Sequence, residues 1–286
     1  MNDNQDLCCY ICGSNDYRKR EGSVRDNPNL YVLECQNCGL VFLSSFDHIN
    51  DHYYMDSGMH DGNVDLDKWL KETSKDDERR FTFLADMMEN KEILDFGCGN
   101  GGFLMRARSI ARTVAGVEPD RSVEKHFINE GIQLWQDIDD VNTSFDIITM
   151  FHVLEHIPDP VECLQGLARH LNPDGKIIVE VPSARDALLT LYKNSTFANF
   201  TYWSCHLFLY DNNTIEKLAN KAGLKLCYLK QVQRYPLSNH LYWLARNKPG
   251  GHKEWGFLDS PDLHSAYEKQ LASIGVCDTL IACFDR

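Results

Sequence analysis

The sequence lacks several features that would each indicate a particular class of protein. No run of about 18 apolar residues occurs, so we expect no membrane-spanning helix. The first residues are polar and acidic, and we therefore expect no signal peptide and a cytoplasmic location. No charge block or low-complexity tract indicates disorder. The length of 286 residues, with 43% hydrophobic and 25% charged, instead suits one large globular domain with a small appendage.

Positive charge is scarce as well. The chain has 29 Lys and Arg against 42 Asp and Glu, giving a formal net charge of −13. Proteins that hold a nucleic-acid backbone through phosphate contacts usually carry the opposite sign. The composition therefore predicts that nucleic acid is an unlikely main partner.

Cysteine, by contrast, is abundant and clustered. Five of the eleven cysteines fall within the first 38 residues, and four of them form two CxxC pairs, each followed by glycine, with 22 residues between the pairs. Four thiolates complete a closed tetrahedral shell, which suits structural Zn²⁺. We predict a zinc ribbon over residues 1–45. Cys8 lies beside the pattern and could substitute for Cys9, and a redox CxxC or surplus core thiols would also place cysteines here. The predicted ligands are Cys9, Cys12, Cys35 and Cys38.

Residues 46–90 are predicted to form a linker and an N-terminal helical cap. Phe81, Leu84, Ala85 and Met88 lie at i, i+3, i+4 and i+7, which gives a helix one apolar face. This helix could cover an active site or simply pack on a sheet.

A glycine-rich loop carries the main functional signal. A short apolar strand ends at Asp95 and is followed by Gly97, Gly99, Gly101 and Gly102, and then by a helical stretch. Glycines at such positions permit positive φ and let a ligand lie against bare backbone. The pattern satisfies both the dinucleotide fingerprint G-x-G-x-x-G and the alternate-glycine loop of a methyl-donor site.

Two of three acidic positions, Asp95 and Asp137, favour the methyl donor. Asp95 lies two residues before the first glycine, where it would repel a pyrophosphate but attract a cationic methionyl group. Glu118 ends the next strand, 21 residues beyond Gly97, where a ribose-binding carboxylate is found in nucleotide folds. Asp137 follows the third predicted strand and could accept a hydrogen bond from an adenine amine.

The order of strands and helices predicts an α/β fold with a doubly wound, mostly parallel sheet. Predicted strands alternate with predicted helices, which is typical of parallel β/α units. The strands are predicted at 92–96, 113–118, 132–135, 145–151, 175–181, 224–234 and 276–284. The domain is predicted to cover residues 91–286, with an insertion at 235–275 between the last two strands. Long ordered insertions are often lids or binding loops, but its helical part, 262–274, could instead form a homodimer face.

Three ordered motifs together resemble class I S-adenosylmethionine (SAM)-dependent methyltransferases. They are the segments 95–101, 116–120 and 145–160, and the resemblance spans about residues 75–286. It is strongest to the group with an N-terminal zinc-binding region, found among enzymes that modify sugars, surface polysaccharides and secondary metabolites. The resemblance implies a Rossmann-like sheet of seven strands whose final strand is antiparallel.

The resemblance also implies how SAM would be held. The Gly97–Gly101 loop would contact the methionine part, Glu118 the ribose, and Asp137 and Ile138 the adenine, while the backbone after Met150 would support the methionyl group. The predicted cofactor-binding set is Asp95, Gly97, Cys98, Gly99, Gly101, Glu118, Pro119, Asp137, Ile138, Met150 and Phe151.

Methyl transfer to a hydroxyl requires a base, and histidine has a suitable unperturbed pKa. His152 and His156 follow the fourth strand, and Glu155 could orient one of them. His206 lies in a segment that resembles the family's acceptor-side His-Leu pair. The structural alternative for each histidine is a hydrogen bond to a backbone carbonyl.

The spacing from His152 to His156 also matches the HxxEH pattern of a metalloprotease. We reject that interpretation because Pro158 and Pro160 would cut short a zinc-binding helix. No other strong catalytic metal pattern is visible in the sequence away from the ribbon, and Cys98 and Cys205 are expected to be packing residues.

Aromatic and amide side chains in the last third of the chain could bind a sugar, although core packing would also explain them. The candidates are Tyr202, Trp203, Arg234, Tyr235, Asn239 and His240.

The sequence-based hypothesis is a SAM-dependent methyltransferase with a structural Zn²⁺. It would O-methylate a small-molecule or nucleotide-linked sugar in surface-polysaccharide or natural-product biosynthesis. Three alternatives stay open: C-methylation of a keto-deoxysugar, an NAD-dependent oxidoreductase, and a non-catalytic zinc-ribbon binding module.

Overall fold

The computed structural model describes residues 7–49 and 65–286. The strands are β1 (Tyr17–Lys19), β2 (Val32–Cys35), β3 (Val41–Leu43), β4 (Glu92–Phe96), β5 (Thr113–Val117), β6 (Gln133–Trp135), β7 (Phe145–Phe151), β8 (Leu171–Pro182), β9 (Phe208–Leu209), β10 (Lys225–Val232) and β11 (Thr279–Asp285). The α-helices are α1 (Leu66–Met88), α2 (Gly102–Ala107), α3 (Glu124–Glu130), α4 (Pro160–Arg169), α5 (Ala187–Thr190), α6 (Ser195–Thr201), α7 (Asn212–Lys221), α8 (Leu237–Arg246), α9 (Gly251–Glu254) and α10 (Pro261–Ser273). Short 3₁₀ helices occupy Arg121–Val123, Ile138–Asp140, Leu154–His156 and Gly256–Leu258.

The larger sheet has seven strands in the order β10-β11-β8-β7-β4-β5-β6. The pairs from β8 to β6 are parallel, whereas β11 runs antiparallel to both β8 and β10. This confirms the predicted Rossmann-like, mostly parallel sheet with an antiparallel final strand.

Helices cover both faces of this sheet because its strands are apolar on both sides. Along β7, Ile147 packs into one hydrophobic cluster and Ile148 into the other. The first cluster includes Leu84 of α1 and Leu104 of α2, and the second includes Leu164 of α4. The two clusters fix the sheet between layers of helices and leave its carboxyl edge open for a site.

The three N-terminal strands do not form a separate sheet. A second sheet has the order β1-β2-β3-β9, so its fourth strand comes from the main domain. The Leu43 amide donates to the Leu207 carbonyl at 3.0 Å, and the Phe208 ring packs 5.1 Å from Phe46 and 5.4 Å from Tyr10. Residues 7–49, here called the cysteine module, therefore share a core with the larger domain.

Two predicted segments join this framework. The cap helix predicted within residues 46–90 forms as α1, while residues 50–64 of the predicted linker lie outside the described residues. The predicted insertion at 235–275 holds α8, α9 and α10 and connects β10 to β11. Within the described ranges, no helix has the length and apolarity needed to cross a bilayer.

Because the cysteine module and the larger domain share a core around Phe208, we expect this residue to stabilise the whole molecule. Replacing Phe208 with Ala should lower the free energy of unfolding by about 3–5 kcal/mol, because the ring is 1% exposed between the module and the domain. Phe257→Ala is the matched control: that ring is 81% exposed, and its loss should change stability by less than about 0.5 kcal/mol. Urea denaturation of both variants provides the measurement, and equal effects would contradict a shared core.

Candidate active site

The carboxyl edge of the larger sheet forms one wall of a cavity of about 880 Å³. Asp95 of β4 lies in register with Gly116 of β5 and Thr149 of β7. Glu118 follows β5 and Asp137 follows β6, so three carboxylates from adjacent strand ends line the same cavity. The volume is near the top of the range of about 300–1,000 Å³ for small-molecule sites. It leaves room for two ligands side by side.

The glycine loop requires glycine for steric reasons. Gly97 has φ +71°, and a Cβ there would collide with Val153 Cγ2. Gly99 has φ +51°, and a Cβ there would lie 3.0 Å from the Trp69 ring. The Gly99 amide donates to Glu118 Oε2 at 2.7 Å, which ties the loop to the neighbouring strand end.

Asp95 is a buried carboxyl at the centre of this wall. Thr149 Oγ1 donates to Asp95 Oδ1 at 2.7 Å. Burial raises the pKa of Asp95 to about 7; Asp77 and Glu118 raise it further, whereas Thr149 and Arg80 oppose the shift. A nearby positive charge on a ligand would favour the ionised form.

Most of the predicted cofactor-binding residues line the cavity. They are Asp95, Gly97, Cys98, Gly99, Glu118, Pro119, Asp137, Ile138 and Phe151. Gly101 and Met150 do not line it. Gly101 instead faces the Phe127 ring, 2.7 Å from the position of an added Cβ, and the Met150 side chain belongs to the core behind the sheet edge.

A network of ion pairs joins α1 to the sheet above this wall. The carboxylate of Glu180 on β8 is fully buried and accepts from Arg79 Nη2 at 2.9 Å and from Arg80 Nη2 at 2.8 Å. Arg234, just after β10, pairs with Asp76 of α1 through Nε at 3.1 Å and also through Nη2. Helix α1 therefore turns charged residues inward as well as the apolar face that its periodicity predicted.

His152, one of the predicted bases, is held within this network. Its Nδ1 lies 3.2 Å from Glu155 Oε1, and its Nε2 lies 3.1 Å from both Glu180 Oε1 and Arg234 Nη1. Burial and Arg234 disfavour the charged ring, but its hydrogen bonds with Glu155 and Glu180 outweigh them and raise the pKa of His152. Both ring nitrogens are thus engaged, and a φ of +57° holds the residue in the left-handed region.

His156 and His206 line the cavity, with ring centroids 4.9 Å apart. Burial lowers the pKa of His156, and burial together with His156 lowers that of His206 to about 3. Both rings are therefore neutral at physiological pH. Glu155 does not line the cavity; it is buried, and its Oε1 lies 3.2 Å from His152 Nδ1.

The predicted acceptor-binding residues divide into two groups. Trp203, Tyr235, Asn239 and His240 line the cavity, as does Arg234, whose guanidinium is engaged by Asp76. Tyr202 does not line it. Its ring packs against Gly22 of the cysteine module, where an added Cβ would lie 2.9 Å away. Tyr202 is therefore a packing residue between the two parts of the chain.

Sequence reasoning missed the cavity residue that comes from the cysteine module. Arg25 lines the cavity with its guanidinium 4.3 Å from the Trp203 ring. Its amide donates to the Tyr202 carbonyl at 2.9 Å, which fixes this loop against the domain. Phe197, Phe200 and Trp243 also line the cavity, and no motif in the sequence marks any of these residues.

The four cysteines of the two CxxC pairs lie together. Their sulfur atoms all fall within 4.8 Å of one another, with Cys9 and Cys38 at 3.4 Å and Cys12 and Cys35 at 3.5 Å. Sulfurs around one zinc ion lie about 3.8 Å apart, given Zn–S bonds of about 2.3 Å. The donor set therefore fits a tetrahedral metal ion, and the exposed Cys8 stands outside the cluster.

The family model for the methyltransferase domain matches residues 66–229. This chain belongs to that methyltransferase family. The matched range begins with α1 and ends within β10, so it includes the glycine loop and the three strand-end carboxylates.

Curated relatives are similar over part of their length. The tRNA U34 carboxymethyltransferase of Nautilia profundicola is 32% identical over 104 residues, covering 32% of this chain and 35% of that protein. The ubiquinone biosynthesis O-methyltransferase of Haemophilus ducreyi is 30% identical over 119 residues, covering 35% and 50%. The chain thus spans between about a third and a half of the length of these two relatives.

Solved structures of low sequence identity are also similar. The magnesium protoporphyrin IX methyltransferase of Synechocystis, solved with S-adenosylhomocysteine (SAH), gives a TM-score of 0.47 at 15% identity, covering 64% of this chain and 91% of that one. A coclaurine N-methyltransferase gives 0.48 at 11% identity, covering 73% and 72%. At such low similarity these structures do not bear on the substrate.

One prediction from composition is wrong. Net negative charge was taken to make nucleic acid an unlikely partner, yet a curated relative is named for its action on tRNA. Net charge averages over the whole surface, whereas binding depends on the local surface around the site. The acidic composition of this chain therefore does not exclude a nucleic-acid partner.

Asp95 predicts a specific dependence of stability on pH. Its folded-state pKa of about 7 lies above the unfolded value of about 3.9, so its stabilising effect is complete below pH 4 and is lost as pH rises through 7. Asp95→Asn should therefore gain stability relative to wild type between pH 4 and pH 8, by up to about 4 kcal/mol. Urea denaturation of both ligand-free proteins at the two pH values tests this, and a pH-independent difference would contradict it.

Proposed function

We propose that this chain is a SAM-dependent methyltransferase that acts on an oxygen of a small acceptor. The observation that carries the proposal is the wall formed by Asp95, Glu118 and Asp137 around the loop at Gly97 and Gly99. Negative charge at successive strand ends beside bare backbone suits a cationic adenosyl ligand. A dinucleotide would instead bring its pyrophosphate against the buried Asp95.

Within this proposal each strand end has its own task. Asp95, which a nearby cation would ionise, faces the methionyl part; Glu118 binds the ribose hydroxyls; and Asp137 with Ile138 binds the adenine. Bound SAM would supply a methyl group on a cationic sulfur, which is reactive enough for in-line displacement. The protein's main task is then to align the acceptor, and alignment alone can supply roughly 7–11 kcal/mol.

The acceptor oxygen must lose a proton as its bond to carbon forms. We propose His206 as the base, with His156 as the alternative, since both rings line the cavity and are neutral. His152 and Glu155, the other predicted catalytic residues, act as positioning residues because they bind each other at 3.2 Å.

The lining on the acceptor side supports a sugar or sugar-derived acceptor, including a nucleotide-linked one. Trp203 and Tyr235 offer aromatic faces to a sugar ring, and Asn239 can reach hydroxyls. No carboxylate of the described residues lies within 4.0 Å of the Arg25 guanidinium, so its charge is available for a phosphate. C-methylation of a keto-deoxysugar would use the same base on a carbon acid.

We also propose that the four-cysteine cluster holds a structural Zn²⁺. Four sulfurs within 4.8 Å of one another leave no open position for substrate. The metal would fix the two cysteine turns, and the loop that carries Arg25 lies between them in the chain.

Calorimetry with SAM, SAH and NADH tests the donor assignment. We expect both adenosyl ligands to bind and NADH not to bind. Binding of NADH alone would overturn the proposal in favour of an oxidoreductase. Mass spectrometry and NMR of products from candidate acceptors would then identify the methylated atom.

The glycine loop provides a matched pair of variants. Gly97→Ala should weaken SAH binding at least tenfold, because the new methyl group would both strain the backbone and collide with Val153 at the cavity. Gly131→Ala has a similar φ of +65° but meets no atom within 4 Å, so it carries the backbone strain without the collision. Its SAH affinity should be unchanged, and equal losses would mean that strain alone explains the effect.

The base assignment predicts a loss of turnover with retained cofactor binding. His206→Ala should lower kcat by about 10²–10⁴-fold while leaving SAH affinity within twofold, because its ring lies on the acceptor side. His170→Ala, at the amino end of β8 and so on the opposite edge of the sheet, is the control and should keep full turnover. Unchanged kcat in His206→Ala would remove this residue from the mechanism, and absence of turnover in wild type would favour a non-catalytic module.

A further inference from the structure

A second group of metal-ligand side chains lies at the cavity. One ligand atom from each of His156, Cys205 and His206 falls within 4.8 Å of the other two. These residues are distinct from the four-cysteine cluster, and the 48 positions between His156 and Cys205 make them invisible to a search for sequence motifs.

The fold brings the three residues together through backbone hydrogen bonds. His156 ends the 3₁₀ helix Leu154–His156, and Cys205 and His206 lie in the turn before β9. The Leu207 amide donates to the Glu155 carbonyl at 2.8 Å, so the two segments run side by side. The His156 ring also hydrogen-bonds to the backbone of Cys205. Hydrogen bonds of that kind orient imidazoles that bind metals.

The donor set suits a metal ion of the zinc type. Imidazole nitrogen and thiolate sulfur bind Zn²⁺ at about 2.0–2.3 Å, which places ligand atoms about 3.3–3.8 Å apart. The observed group, within 4.8 Å, needs only small side-chain movements to reach that spacing. Three protein ligands leave a fourth position open, as in catalytic rather than structural zinc sites.

The open position would face the acceptor side of the cavity. His156 and His206 both line the cavity, whereas Cys205 is fully buried behind them. Trp203 lies beside this group, with its ring 5.6 Å from that of His206. A ligand atom completing the coordination shell would therefore come from solvent or from the acceptor.

Nearby negative charge would offset the cost of placing a divalent cation here. Glu155 is fully buried and close enough to both His156 and His206 to interact with them electrostatically. Its Oε1 binds His152, while no donor among the described residues reaches its Oε2. A Cys205 thiolate and the Glu155 carboxylate together would balance the charge of Zn²⁺.

We propose that His156, Cys205 and His206 form a second, solvent-accessible binding site for Zn²⁺. The consequence for activity rests on the proposed function. A nitrogen bound to metal cannot accept a proton. Zinc in this site would therefore prevent His206 from acting as the base and would inhibit methyl transfer. Metal binding itself does not depend on that function.

The test counts bound zinc per chain. The full-length protein is titrated with Zn²⁺ alone against a chromophoric chelator of micromolar affinity, and bound metal is measured by mass spectrometry. We expect two equivalents in wild type and one in both Cys205→Ala and His206→Gln. Cys277→Ala, which removes another fully buried cysteine outside this group, should keep two. The same zinc count in all four proteins would overturn the proposal.

Titration of wild type with Co²⁺ tests the second site without relying on variants, which can fail to fold. Wild type titrated with Co²⁺ should give two phases of thiolate-to-cobalt absorption: a strong one from four sulfurs and a weaker one from a single sulfur. A single phase that saturates at one equivalent would contradict the second site without reference to any variant.

Failure of this proposal can be told apart from failure of the proposed function. SAH binding and methyl transfer are measured with the second site stripped by the chelator. If wild type binds a second zinc ion that Cys205→Ala lacks, but binds no SAH, the second site is upheld and the methyltransferase is refuted. The opposite result is methyl transfer by a wild-type protein that binds one zinc ion, with added Zn²⁺ affecting neither wild type nor Cys205→Ala. It would uphold the methyltransferase and refute the second site.

Discussion

A single buried carboxylate, that of Glu180, joins the parts of the molecule that surround the cavity. It lies on β8 and accepts from Arg79 and Arg80 of α1 and contacts His152 beyond β7. Arg234, just after β10, extends the network to the other side of His152. Removing one partner from a buried ion pair typically costs about 3–5 kcal/mol, because the remaining charge stays buried. The position of α1 beside the cavity therefore depends on this group.

The cysteine module is part of the site and not a separate appendage. Its β3 pairs with β9, which directly follows the turn containing His206. The loop with Arg25 reaches the rim of the cavity beside Trp203. A metal ion that stabilised the module would also stabilise these acceptor-side residues, which gives a physical reason for joining a four-cysteine cluster to a methyltransferase fold.

Three histidines that look equivalent in the sequence have different surroundings. His152 is enclosed by carboxylates and a guanidinium, whereas His156 and His206 face each other with Cys205 behind them. The first environment raises the pKa of its ring, whereas burial in the second lowers the pKa of both rings and keeps them neutral. Burial and neighbouring charge, and not residue type, decide the chemistry at each position.

The sequence by itself determined the parallel sheet, the glycine loop and the strand-end acids Asp95, Glu118 and Asp137. Strand periodicity and positive-φ glycines can be recognised within a few residues of sequence. The carboxyl ends of parallel strands meet at one edge of the sheet, so the acids that follow the strands are expected to lie together. Only the tertiary structure decided that Tyr202 packs away from the cavity and that Arg25 reaches it. Such contacts join residues far apart in the chain, and long-range packing leaves no periodic trace in the sequence.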